Sequence, residues 1–164
     1  MTSHVNSPIH LRPYDPSDAD ALWALFRRTI HHVNAADYDV GQLEAWAPDV
    51  PTTDRWRQSF VGKFCRVAAE PDGTVVGFAD LRADGYLDRF FVHHERQRRG
   101  IGRRLLDALE AEARREGHRR IFLEASLTAR PFFESHGYRV ERAQTVELRG
   151  ARLDNFAMAK SLVS

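Results

Sequence analysis

The chain has 164 residues, 43% of them hydrophobic, and its 24 Lys plus Arg almost balance its 23 Asp plus Glu, for a net charge of +1. That length suits one domain with one core, and the balanced charge excludes a global field drawing the chain to nucleic acid or a membrane. The lone Cys65 cannot form an internal disulfide, which suits a reducing compartment. No stretch approaches the roughly 18 apolar residues of a membrane span, and the polar run from Met1 to Pro8 carries no apolar signal core. The expectation is a cytoplasmic protein whose domain spans residues 9–160 after a polar tail at 1–8.

Ile9 to Pro13 reads as a first strand. Asp15-Pro16 then signals a helix start, with an acceptor side chain at the N-cap and proline at the first helical position. Leu22, Leu25, Phe26, Ile30 and Val33 follow at helical spacing. Asp39 with Gln42 three residues on forms a capping-box pattern, and Trp56 with Phe60 suggests a third short helix. The period then shifts to strands over Arg66–Glu70, Thr74–Leu81 and Tyr86–Val92, separated by Pro71-Asp72-Gly73 and Asp84-Gly85. Gly100 to Glu116 is strongly amphipathic, with Leu105, Leu106, Leu109 and Ala113 on one face, and Gly117 is its stop. A strand over Arg120–Ala125, a short helix over Ala129–His136 and a hairpin from Val140 to Lys160, turning near Arg149-Gly150, complete the chain. This order predicts a mixed α/β sheet covered by helices.

The most informative stretch runs Phe90-Phe91-Val92-His93-His94-Glu95-Arg96-Gln97-Arg98-Arg99-Gly100-Ile101-Gly102-Arg103. A buried strand enters a short loop, and two glycines open a helix. The first helical turn leaves N–H groups unpaired at the positive end of the dipole, and glycine admits close approach of a ligand to them. Together they suit a pyrophosphate. The third glycine of the dinucleotide fingerprint is missing, as is a P-loop lysine. Five arginines lie between positions 96 and 104, but the aromatic interleaving of single-strand nucleic-acid binders is absent.

Gln97-Arg98-Arg99-Gly100-Ile101-Gly102 resembles the Arg/Gln-x-x-Gly-x-Gly/Ala signature of the GNAT N-acetyltransferase superfamily. Ala129-Arg130-Pro131-Phe132-Phe133-Glu134-Ser135-His136-Gly137-Tyr138 is similar to a second segment of that superfamily. The resemblance extends from about Ile9 to Lys160 in element order. It implies a mostly antiparallel sheet of about six to seven strands covered by about four to five helices, and acetyl-CoA as co-substrate with no metal. It also implies transfer of the acetyl group to an amine of a small molecule or protein by direct attack in a ternary complex. Backbone groups of Phe91 and Val92 would hold the pantetheine arm, and amides of Arg98, Arg99, Gly100, Ile101, Gly102 and Arg103 the pyrophosphate. Ser126 falls where many relatives place an asparagine that touches the pantetheine. Phe133 falls where many place a tyrosine that protonates the departing thiolate. The alternative is a CoA-binding module that has lost catalysis. Sheet edges near the C-terminal hairpin can pair two chains into a homodimer by the same analogy.

An alkylamine must lose a proton before it attacks, so a base is useful. Strand alternation puts Val92, Phe90, Asp88 and Tyr86 on one face, and the resemblance places Asp88 and Tyr86 toward the acceptor. Asp88 is the first candidate for base or ammonium anchor. The competing reading is a surface carboxylate paired with a nearby arginine. His31, Tyr38 and Trp46, at and after the end of the first helix, are the candidate acceptor-binding residues, although large aromatics more often serve the core. His93 and His94 read as solvated loop residues. No His/Cys/Asp cluster has metal-ligand spacing, and Cys65 reads as a small buried residue. Tyr138 reads as a buried aromatic.

Overall fold

The computed structural model describes residues 8–163, so most of the polar tail expected at 1–8 lies outside the described residues. Seven strands form one sheet in the order β1-β2-β3-β4-β5-β7-β6. The strands are β1 (His10–Pro13), β2 (Phe64–Ala69), β3 (Val75–Leu81), β4 (Tyr86–Val92), β5 (Arg120–Ser126), β6 (Arg139–Leu148) and β7 (Ala151–Ser161). The helices are α1 (Ala19–Val33), α2 (Val40–Trp46), α3 (Asp54–Gln58), α4 (Ile101–Arg115) and α5 (Arg130–Ser135). Every strand pair is antiparallel except β4 with β5.

The capping signals act as read. The Asp15 carboxylate accepts from the Ser17 amide at 2.9 Å, while Asp18 accepts from the Asp15 amide at 2.8 Å, closing a capping box on the 3₁₀ turn that leads into α1. Asp39 and Gln42 close a second box ahead of α2, at 2.8 and 2.9 Å. Each box satisfies two donors the helix leaves orphaned. Several boundaries move by one or two residues. The second strand begins at Phe64, so Cys65 lies within it; the helix expected from Gly100 begins at Ile101; and the short helix expected over Ala129–His136 is Arg130–Ser135. Arg149 and Gly150, both at positive φ, make the expected hairpin turn.

Apolar residues fill both faces of the sheet. Ile101, Leu105, Leu106 and Leu109 of α4 pack with Leu87, Val92, Ile121, Leu123 and Phe133 on one face. Leu22, Leu25, Phe26 and Ile30 of α1 pack with Trp56, Phe60, Val67 and Phe78 on the other. The sheet is held open in one place. β4 and β5 pair only at Tyr86 with Phe122 and Leu87 with Leu123, and then diverge. Beyond Leu87 the β5-side edge of β4 therefore has no strand against it.

The alternation expected along β4 fails in its first half. Asp80 opposes Arg89 while Leu81 opposes Leu87, so Asp88 is an extra residue in a β-bulge. The bulge resets the side-chain period. Leu87, Phe90 and Val92 share the α4 face, whereas Phe91 faces α1 with Phe26 at 5.0 Å between centroids. Tyr86, whose ring lies 5.3 Å from that of Phe122, is thus on the α1 face and not on the face of Phe90 and Val92.

Candidate active site

Where β4 and β5 part, a cavity of about 940 Å³ runs through the sheet layer. Its wall includes Arg98, Gly100, Gly102 and Arg103 at the start of α4, Phe132 and Phe133 of α5, and Phe26 and Thr29 of α1. The cavity therefore joins the glycine turn on one side to the aromatic face of α1 and α2 on the other.

The glycine turn has the backbone its sequence suggested. Arg98 and Gly100 adopt positive φ, 62° and 79°, so successive N–H groups curve into a concavity suited to anions. A Cβ on Gly100 would meet no atom within 4 Å, which leaves open space over the turn. Gly102 has a second duty: a Cβ there would lie 3.2 Å from the Phe132 ring, so the glycine also lets α5 close on α4. Gln97 ties the loop down by donating from Nε2 to the Val92 carbonyl at 2.7 Å. The His93 amide donates to the Val76 carbonyl at 2.8 Å. By strand alternation the Val92 amide points the other way, into the split beside β5.

Of the remaining expected residues, Phe91, Val92, Ile101, Ser126, Tyr38, Trp46, Tyr86 and Asp88 are on the cavity wall. Arg99 is not, and neither is His31. The His31 ring reaches back to the Ala47 carbonyl, with Nε2 2.9 Å away, and so ties α1 to the end of α2. Tyr38 is buried. Its hydroxyl donates to the Asp154 carbonyl at 2.6 Å and accepts from the Leu127 amide at 2.9 Å, which fixes the ring between β5 and β7. Desolvation raises its phenol above the ordinary value. Ser126 Oγ accepts from Asn34 at 3.2 Å and from the Ala129 amide at 3.0 Å, leaving its own hydrogen to donate.

Asp88 is held in an ion pair, with a lysine in place of the expected arginine: Lys63 Nζ donates to its Oδ2. Beside this pair lies a buried one. Asp80, fully buried, accepts from Arg89 Nε at 2.8 Å, and Arg89 Nη1 donates to Ser59 Oγ at 2.7 Å. The Arg89 guanidinium lies 4.0 Å from the Phe60 ring centroid. Desolvation, opposed by Arg89, pushes the Asp80 carboxyl up. Burial likewise pushes the Tyr86 phenol up, which keeps it a hydroxyl donor at neutral pH. Cys65 is buried, and desolvation pushes its thiol up to about 12; it is inert packing. Among the described residues no group of three His, Cys, Asp or Glu is placed to hold a metal.

Phe133 lines the cavity and packs edge-on to Phe90 and Tyr138. Tyr138 is buried behind it, off the cavity wall, and donates to Glu110 Oε1 at 3.1 Å. Desolvation, with Glu110 second, raises its phenol.

A family model described as "Acetyltransferase (GNAT) domain" matches residues 34–162. The chain is 35% identical to the uncharacterized N-acetyltransferase YafP of Escherichia coli, over 92% of this chain and 94% of that one. It superposes with a TM-score of 0.89, at 35% identity and over 94% and 96% of the two chains, on a GCN5-related N-acetyltransferase from Rhodopseudomonas palustris, which is also described as a class-II aminotransferase. PaiA N-acetyltransferase of Thermoplasma acidophilum, solved in complex with coenzyme A, shares the fold with a TM-score of 0.74 at 20% identity, over 94% of this chain and 99% of that one. With its sheet split beside a glycine-opened helix, the chain belongs to the GNAT family of N-acetyltransferases.

Proposed function

We propose that this N-acetyltransferase uses acetyl-CoA as donor and an amine as acceptor, the two meeting where β4 and β5 diverge. One observation carries the reading: the anion-suited turn at Arg98–Gly102 opens onto the same cavity as the aromatic wall of α1 and α2. A phosphate-bearing donor can thus enter from one side and an acceptor from the other. Bound coenzyme A in the Thermoplasma relative supports the donor assignment. The domain would span residues 9–160, and a homodimer would use the exposed edge of β6. No described helix is long and apolar enough to cross a membrane; the proposed site of action is the cytoplasm.

Acetyl-CoA supplies a thioester carbon at which the amine nitrogen forms a bond as the carbon–sulfur bond breaks; the amine gives up a proton and the thiolate gains one. The chain's part is positional. Amides of residues 98–103 hold the pyrophosphate, with Arg98 and Arg103 adding charge. The Val92 amide, aimed into the split, donates to the thioester oxygen as charge builds there. Asp88, oriented by Lys63 at the bulge, receives the amine proton directly or through water.

Gly100→Asp tests the donor side. The change puts an L side chain at φ 79° and a carboxylate over the turn. Acetyl-CoA affinity is expected to fall at least tenfold, about 1.4 kcal/mol. Unchanged affinity by calorimetry, in a variant that melts like the parent, would remove the pyrophosphate from this turn. Phe133, which has no proton to give, favours a second reading: a module that binds CoA without turning it over. Release of CoA thiol in the presence of an amine separates the two.

A further inference from the structure

The α1-facing end of the cavity holds oxygen atoms that lack donors. Thr29 is 4% exposed, sits on the wall, and its Oγ1 has no hydrogen-bond partner. The Oδ1 of Asn155, also on the wall, is buried and equally unpartnered. Buried polar atoms are ordinarily bonded, and an orphan is costly. Next to them is the carboxylate of Glu124, a residue that remains exposed to solvent at the cavity mouth. Ile121, Leu123 and Ala125 point to the α4 face, so Phe122, Glu124 and Ser126 point toward α1. Glu124 lines the cavity, and among the described residues no Lys, Arg or His lies within ion-pair distance of it. Asn155 opposes Ser126 across the β5–β7 pair, and Ala157 opposes Glu124. Glu124 and Asn155 are thus diagonal neighbours on one face, about 7–8 Å apart and within joint reach of one small group.

Two buried oxygens without partners, beside a carboxylate without an ion-pair partner among the described residues, suit a ligand rich in N–H. A primary ammonium offers three N–H bonds and a positive charge. The charge balance argues against a carboxylate on the same molecule. Arg89, the cation on this part of the wall, is already held by Asp80 and Ser59. Around the oxygens stand Phe26, Trp46, Val146, Leu148 and Leu153, which are apolar.

On the acetyl-transfer reading above, we propose that the acceptor is a primary amine on an apolar or aromatic body without a carboxylate, its ammonium anchored by Glu124 with Asn155 and Thr29. Two carboxylates then divide the work: Glu124 holds the arriving cation, and Asp88 at the bulge takes the proton. A zwitterionic amino acid would bring a negative charge to an end of the cavity where, among the described residues, Arg89 is already paired, and would add repulsion with Glu124.

The test uses the whole chain saturated with CoA, with 2-phenylethylamine and phenylalanine as probes that share a ring and differ by a carboxylate. Calorimetry is expected to show 2-phenylethylamine binding, with phenylalanine at least a hundredfold weaker. Glu124→Gln, which keeps the size and removes the charge, should weaken 2-phenylethylamine at least tenfold without changing CoA affinity or the melting temperature. Thr29→Val, which keeps the packing and removes the oxygen, should weaken it a few-fold. Equal binding of both probes, no binding of 2-phenylethylamine, or an unchanged affinity in folded Glu124→Gln would each overturn the proposal. If the amine binds as expected but acetyl-CoA yields no acetylated product, the anchor stands and the transfer reading fails.

Discussion

Asp88→Asn is expected to lower kcat/KM for the best amine by roughly 10²-fold, the usual loss when a general base is removed. Asp88 is the extra residue of the β4 bulge, at the point where β5 leaves, and its carboxylate lines the cavity. Lys63, in the bend just ahead of β2, fixes its orientation. Asparagine keeps the shape and can still face Lys63, but it cannot take a proton. Acetyl-CoA affinity should stay within twofold, about 0.4 kcal/mol, because the turn at Arg98–Gly102 is untouched. Steady-state kinetics with the donor saturating, beside calorimetry for acetyl-CoA, reads both quantities. Wild-type turnover in the variant would assign Asp88 to the Lys63 ion pair alone and return attention to Tyr86 and Tyr38, and to Glu124 on the same wall.

The largest stability change is expected at Tyr138. Its ring is 2% exposed and packs at 5.4 Å from Phe133. Tyr138→Ala should destabilise the fold by about 3–5 kcal/mol, the range for emptying a buried aromatic site. Tyr138→Phe removes the bond to Glu110, and Lys160 still donates to Glu110 Oε1 at 2.9 Å, so the loss should be about 1 kcal/mol. Because the Tyr138 hydroxyl faces Glu110 and not the cavity, kcat of Tyr138→Phe should stay within a few-fold of the parent. Phe133 then marks a real absence of a phenol at the thiolate. A thiol resembling cysteine has a pKa of about 8.5, so its thiolate leaves far more readily than an alkoxide, and water or the acceptor's proton can serve. A hundredfold fall in kcat at unchanged melting temperature would instead make Tyr138 the acid.

Much of the frame was legible because it is local. The Asp15 and Asp39 caps, the stop at Arg149-Gly150 and the stripe from Leu105 to Ala113 depend on residues a few positions apart, where side-chain chemistry decides alone. The glycine turn was legible for the same reason. The bulge at Asp88 was not. Leu87 precedes it and Arg89 follows, nothing in that run marks an inserted residue, and only the pairing with β3 shows that the period restarts. Lys63 lies 25 positions from Asp88, and their meeting depends on the β2–β3–β4 order. Glu124 was overlooked because Ile121-Phe122-Leu123-Glu124-Ala125 reads as a strand with one wetted face. That the same face lines a cavity shows only in the fold, where Glu124 stays exposed at the wall. The contact of His31 with the Ala47 carbonyl was not legible, because nothing nearby in sequence shows that carbonyl returning to meet it.

The central claim is that one cavity brings a CoA thioester and an amine together for acetyl transfer. The most direct measurement incubates the chain with acetyl-CoA and a panel of amines and peptides, follows free CoA thiol, and identifies products by mass spectrometry. The account expects thiol release that depends on the amine, matched mole for mole by a product about 42 Da heavier than the acceptor, the mass of acetyl replacing hydrogen as the amine is acylated. Tight acetyl-CoA binding with no acetylated product from any amine or peptide would contradict it.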